Sequence, residues 1–171
     1  MIKRDNVRVC VPRYLQIGKG SLNELPEIIK ILGSINSLLI VTDKQMVKFG
    51  YVKKLQEVLS KEGIKSDVFD DTVPDPTDTV VLNGINFLEK CKNDAVIGFG
   101  GGSPIDTAKA IAAMAKYSKN IQDYKPPSMF DKKGLPIIAI PTTAGTGSEV
   151  THHAVIIDSK NNEKISCRGE G

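Results

Sequence analysis

The run Ala95-Val96-Ile97-Gly98-Phe99 leads directly into Gly100-Gly101-Gly102 and then into Ser103-Pro104-Ile105-Asp106. A short apolar segment that stops in three glycines and restarts on helix-initiating residues predicts strand, turn and helix in immediate succession. Glycine lacks a Cβ, so its backbone reaches φ > 0 and lets a bulky anion approach its N–H groups. Ser103 is a predicted N-cap, Pro104 suits the first helical position, and Asp106 stands where a capping box puts its acid. Unpaired N–H groups at such a helix start, together with the positive end of its dipole, favour a phosphate. The same residues also suit a tight turn that does no more than pack helix on strand.

Elements alternate on both sides of this junction. Val7 to Val11 and Tyr14 to Ile17 read as an N-terminal β-hairpin, closed by Gly18-Lys19-Gly20. Ser21 and Glu24 have capping-box spacing before Leu25, Ile28, Ile29 and Leu32, although Pro26 falls early in that helix. Ser37 to Thr42 is a continuous apolar strand ending at Asp43, as expected of a strand buried on both faces. A helix carrying Val52, Leu55, Val58 and Leu59 follows, and then a strand over Lys65 to Phe69. Pro74 and Pro76 mark a loop, and Thr77 or Asp78 caps the helix with Val80, Val81, Ile85, Phe87 and Leu88. Leu135 to Ile140 predicts a further strand, and Ile121 to Gly134 a polar surface connection. Asn161-Asn162 marks the turn of a hairpin between Thr151–Asp158 and Glu163–Ser166.

This order predicts an α/β fold: a Rossmann-like, open, mainly parallel sheet with helices on both faces and the N-terminal β-hairpin at its edge. In such sheets ligands bind beyond the carboxyl ends of the strands. Asp43, Pro74 to Thr77, Gly100 to Ser103 and Thr142 to Ser148 all follow strands, so they should share one edge. The 171 residues suffice for one domain with a core.

Charge is balanced, 23 basic against 20 acidic residues with no basic stripe, which argues against a nucleic-acid partner. Lys3, Arg4, Asp5 and Arg8 break up the N-terminus, so it does not read as a signal peptide. Nor is any apolar run long enough to span a membrane. Cys10, Cys91 and Cys167 form an odd set without paired spacing, which predicts a reducing, cytoplasmic setting rather than a disulfide framework.

Asp43, at a strand end, could accept hydrogen bonds from both ribose hydroxyls of an adenosine and would repel a 2′-phosphate. It could equally be a plain N-cap before Lys44. It lies well before the glycines, whereas the common dinucleotide fingerprint places its acid about 20 residues after them. Thr142, Thr143, Thr146 and Ser148 offer hydroxyls to a ligand, or to their own turn. No lysine precedes a hydroxyl residue in phosphate-loop spacing, which disfavours phosphoryl transfer. His152 and His153 are adjacent on an expected strand, so they should point to opposite faces and make a poor metal pair.

Gly100-Gly101-Gly102-Ser103-Pro104-Ile105-Asp106-Thr107-Ala108-Lys109 and Pro141-Thr142-Thr143-Ala144-Gly145-Thr146-Gly147-Ser148-Glu149-Val150-Thr151 together resemble the iron-containing alcohol dehydrogenase family. Val41-Thr42-Asp43-Lys44 and Val73-Pro74-Asp75-Pro76-Thr77 match it as well. The resemblance implies NAD as cofactor. It implies that Asp43 selects NAD, that Gly101, Gly102 and Ser103 hold the pyrophosphate with Asp106 in the same motif, and that Thr142, Thr143 and Thr146 contact the cofactor. Asp75 stands near the adenosine site where many relatives have asparagine, and Lys164 where the family often has a lysine reaching the nicotinamide ribose.

By the same resemblance, residues 1–171 are a dinucleotide-binding domain, and an all-helical domain with the divalent metal, Fe²⁺, belongs to the complete protein. Its metal ligands, an aspartate and three histidines, have no counterpart in this sequence. The implied activity is interconversion of a primary alcohol or diol and its aldehyde by metal-assisted hydride transfer, in a homodimer or larger homo-oligomer. This chain alone is expected to bind cofactor with little or no turnover. Two alternatives share the same sheet and loops: a nucleotide-binding module without chemistry, and a polyol or polyol-phosphate dehydrogenase.

Overall fold

A computed structural model describes residues 11–128 and 133–168. Four parallel strands form one sheet in the order β2-β1-β3-β4: β1 (Ser37–Val41), β2 (Lys65–Phe69), β3 (Ala95–Gly100) and β4 (Ile137–Pro141). Because side chains alternate along a strand, β1 and β3 feed two cores at once. Leu39, Val41 and Val96 face one layer; Leu38, Ile40, Ala95, Ile97 and Phe99 face the other. This two-sided burial explains why both strands are apolar without interruption.

The second layer is built from α1 (Leu25–Leu32), α2 (Lys44–Lys48) and α3 (Tyr51–Lys61), which bury Leu25, Ile29, Met46, Val52, Leu55 and Leu59 against it. The first layer holds α4 (Asp78–Cys91) and α5 (Gly102–Met114), with Val81, Ile85 and Leu88 meeting Ala108, Ile111 and Met114. Thr77 caps α4 through its hydroxyl, which accepts from the Val80 N–H. An antiparallel hairpin, β5 (His153–Asp158) and β6 (Glu163–Arg168), closes over this layer with Ile156 and Ile165 inward. Its turn is completed by Asn162 at φ 50° and by Asp158, whose carboxylate takes the backbone N–H groups of Lys160 and Asn161.

Three expectations fail, each for a local reason. Tyr14 to Ile17 forms no strand, and apart from Val11 its expected partner Val7–Val11 lies outside the described residues. This stretch lies exposed, with Leu15 and Ile17 at 61% and 81%, and among the described residues no strand pairs with it. Ser21 and Glu24 do not close a capping box. Ser21–Glu24 is a 3₁₀ turn behind Gly20, and α1 starts only at Leu25, where Pro26 fits its first turn. The segment after α5 is not wholly surface, because Ile121 and Tyr124 pack beneath the hairpin. No helix among the described residues is long and apolar enough to cross a membrane.

Candidate functional site

The carboxyl ends of β1, β2, β3 and β4 open onto a cleft of about 610 Å³. Gly101, Gly102, Ser103 and Pro104 form its floor, Thr142 and Thr143 one wall, and Asp43 to Met46 with Phe49 the other. Asp70 to Pro74 make the rim. Segments far apart in the chain thus meet at the edge where a parallel α/β sheet receives ligands. The strand ends are braced here by two threonines. Thr42 donates to the Phe99 carbonyl at 2.8 Å, and Thr72 donates to the Thr42 carbonyl at 2.6 Å.

Of the three consecutive glycines, Gly100 alone needs its freedom, at φ 148°. A Cβ there would come 2.8 Å from Cγ of Pro104. The helix begins earlier than its residue types suggest. Its N-cap is Gly101 and no side chain caps it, so Ser103 is not the cap. Ser103 and Pro104 both lie inside the first turn, and the Ser103 carbonyl accepts from the Thr107 hydroxyl at 2.8 Å. An uncapped helix start lining an open cleft fits an anionic ligand, since its first N–H groups have no acceptor within the helix. Close packing above it adds to the fit: a Cβ on Gly101 would meet Oγ1 of Thr143 at 3.2 Å, and one on Gly102 would meet Oγ of Ser148 at 3.3 Å.

Asp43 has two oxygens with separate surroundings. Oδ1 accepts from the N–H groups of Gln45 and Met46 at 2.9 and 3.0 Å and so caps α2. Oδ2 faces the glycine turn, 3.6 Å from where a Gly100 Cβ would stand. Both readings of this aspartate are therefore compatible: one oxygen is structural and the other is turned toward the cleft. Beside it, the Lys44 ammonium pairs with Asp71 at 3.0 Å, and that hydrogen bond, then the charge of Asp71, raises its pKa.

The threonine loop divides in a similar way. Thr142 is tied to the glycine turn by its N–H, which donates to the Gly100 carbonyl at 2.8 Å, and Thr143 faces Gly101. Thr146 packs against Gly102, but its hydroxyl serves its own turn, donating to Glu149 at 3.2 Å and accepting from the Ser148 N–H at 3.4 Å.

The remaining candidates are not brought to the cleft lining. Asp106 forms no capping box. It points across to β5, where Oδ2 accepts from the Val155 N–H at 3.1 Å while Oδ1 is buried with no hydrogen-bond partner among the described residues. Asp75, at φ 52°, follows the rim residue Pro74 and pairs with Lys164 at 2.7 Å. His152 precedes β5 and only His153 lies in it, so strand alternation does not separate them and their rings stand 4.3 Å apart. Burial pushes the Cys167 thiol up to about 11.

Lys109 carries no sequence signal beyond its place in the glycine motif. Its ammonium donates to the carbonyls of Thr151 and His153 at 2.8 and 2.9 Å and ties the threonine loop and β5 to α5. Burial lowers its pKa, while Asp106 and Glu149 pull the other way. Phe49, Asp70 and Asp71 are further cleft residues that no sequence motif marks, and Lys44 lines the cleft too, marked only by its place in the Val41–Lys44 motif. Asp70 and Asp71 follow the end of β2, the one signal that could have found them. Among the described residues no three His, Cys, Asp or Glu side chains are grouped to hold a metal ion, so the donor set here does not fit the family's iron.

A parallel sheet with helices on both faces, a glycine turn feeding an uncapped helix, and a cleft at the carboxyl edge define a Rossmann-like α/β unit. A family model described as iron-containing alcohol dehydrogenase matches residues 12–170, and the chain belongs to that family. It is 39% identical over 152 residues to long-chain-alcohol dehydrogenase 1 of Geobacillus thermodenitrificans, covering 87% of this chain and 38% of that protein. With the lactaldehyde reductase of Escherichia coli it shares 38% identity over 162 residues, 94% of this chain and 42% of that one. The solved sulfoacetaldehyde reductase of Bifidobacterium kashiwanohense, in complex with NAD+, has a TM-score of 0.80 and 35% identity, covering 89% of this chain and 40% of that one. The chain spans about two fifths of the length of the curated relatives it matches.

Proposed function

We propose that this chain is the NAD-binding part of an oxidoreductase that interconverts a primary alcohol or diol and its aldehyde. The observation that carries this reading is the meeting of Asp43, the uncapped start of α5 and Thr142–Thr143 in one cleft. Bound NAD would supply the hydride acceptor or donor. The chain's own part is to bind and orient. Gly101, Gly102 and Ser103 would take the pyrophosphate on backbone N–H groups, aided by the α5 dipole. Oδ2 of Asp43 would accept from the ribose hydroxyls of the adenosine while Oδ1 holds α2 in place. Thr142 and Thr143 would close the opposite wall. Lys164 would reach the cofactor only by leaving Asp75, an exchange between exposed partners that costs little. No step is assigned to a metal on these residues.

Calorimetric titration of the 171-residue chain tests the reading. NAD is expected to bind at one site with a Kd below about 1 mM, a free energy of about −4 kcal/mol. Gly102→Asp, which places a carboxylate at the helix start, should abolish that binding. Absence of NAD binding in the unsubstituted protein would sink the proposal. Turnover with alcohols or aldehydes is assayed on the intact protein that carries this chain.

A further inference from the structure

We propose that Asp71 is a second determinant of cofactor choice, acting by neutralising Lys44, the only cation among the described residues lining the cleft. The inference rests on reading the cleft as a dinucleotide site.

NADP differs from NAD by a phosphate on the adenosine ribose, which carries a charge of about −2 at neutral pH. A site that accepts it needs a cation near the ribose; a site that refuses it needs only carboxylates there. Lys44 directly follows Asp43 on the same wall, so by position it is the residue that would serve a 2′-phosphate. Its ammonium is already committed to Asp71 at 3.0 Å.

This pairing is set by the backbone rather than by two side chains drifting together. Asp71 forms an antiparallel bridge with Asp43, the Thr72 hydroxyl donates to the Thr42 carbonyl, and the Thr42 N–H donates to the Phe69 carbonyl at 2.9 Å. The short Asp71 side chain is thereby anchored beside the start of α2, and only the lysine has to reach. Asp70 adds another carboxylate on the same rim. A 2′-phosphate would meet Asp43, Asp70 and Asp71 against one ammonium that is already engaged. Removing Asp43 alone therefore relieves one repulsion without releasing a cation. Both members of the pair are largely exposed, at 74% and 63%, so breaking it should cost the fold little.

Affinities of NAD and NADP for the intact protein that carries this chain, measured by calorimetry, test the proposal through their ratio. Loss of structure lowers both affinities together; release of Lys44 shifts one against the other. Asp71→Asn is expected to raise the NADP-to-NAD ratio about tenfold, the size of one unit charge removed near a surface phosphate. Asp43→Asn with Asp71→Asn should exceed Asp43→Asn alone by a similar factor, and adding Lys44→Gln should erase that gain. Asp71→Glu, which restores the carboxylate, should return the ratio to that of the unsubstituted protein, and high salt should shrink every difference. If NAD binds but the double variant matches Asp43→Asn, or the gain survives Lys44→Gln, the proposal is wrong. If NAD does not bind the unsubstituted protein, the reading of the cleft fails, and the inference falls with it.

Discussion

Gly98 of β3 and Ile105 of α5 approach so closely that a Cβ on the glycine would stand 2.9 Å from the Ile105 Cα, and 3.0 Å from the Ala108 Cβ. The nearest obstacle is backbone, so it cannot be relieved by a rotamer change. Gly98→Ala should therefore push α5 off the sheet and destabilise the protein by about 1–3 kcal/mol, the usual cost of overpacking. Urea denaturation reads this as a lower midpoint. Because the displaced helix carries the floor of the cleft, NAD affinity should, on the proposed reading, fall as well. A midpoint unchanged by the substitution would mean that α5 has room the geometry denies.

The two oxygens of Asp43 can be separated by choice of substitution. Asp43→Ala removes the cap of α2 and should cost about 1 kcal/mol, since two N–H groups lose their acceptor. Asp43→Asn keeps an oxygen for that cap and should change stability by less than about 0.5 kcal/mol. It nevertheless removes the charge facing the glycine turn and, on the proposed reading, weakens NAD binding. Thermal melts paired with calorimetry check both halves. An unchanged stability in Asp43→Ala would show that the cap contributes nothing, and equal losses in both variants that the asparagine oxygen does not replace it.

Acid sensitivity should have a component from His153. Burial first, then the neighbouring His152, Arg168 and Lys109, lowers its pKa from the usual 6.5, while Asp106 acts in the opposite direction. Its Nδ1 lies 3.1 Å from the Ser166 hydroxyl. A lowered folded value means that the unfolded chain takes up the proton first. The associated stability is fully present above about pH 6.5 and is lost as pH falls through that value toward the lower folded one. His153→Gln should flatten the stability profile in that window and leave it unchanged near about pH 8. Denaturation series at several pH values decide the point.

The parallel sheet was legible because β1 and β3 are buried on both faces, a condition that leaves an unbroken apolar run in the sequence. The α4 cap at Thr77 and the hairpin turn at Asn161-Asn162 were legible because both depend on residues within a few positions of each other. Failures came where a residue had two local options and a distant contact decided. Gly101, Gly102, Ser103 and Pro104 can each sit at a helix start, and the observed start leaves Ser103 in the first turn rather than at the cap. Asp106 has capping-box spacing, yet the β5 backbone claims it from 49 residues away. Lys44 and Asp71 meet only because two strand ends lie side by side, a relation that no spacing encodes.

Helix α5 supplies the floor of the cleft at one end and Ala108, Ile111 and Met114 to the core at the other. An occupant held at its first turn is therefore coupled thermodynamically to the unfolding of everything packed on it. At a hundredfold excess over its Kd, a ligand that binds only the folded form adds about 2.7 kcal/mol to the unfolding free energy. Amide hydrogens along α5, β3 and β4 should then exchange with solvent more slowly by the same energy, so the buried layer reports on occupancy at a surface it does not touch.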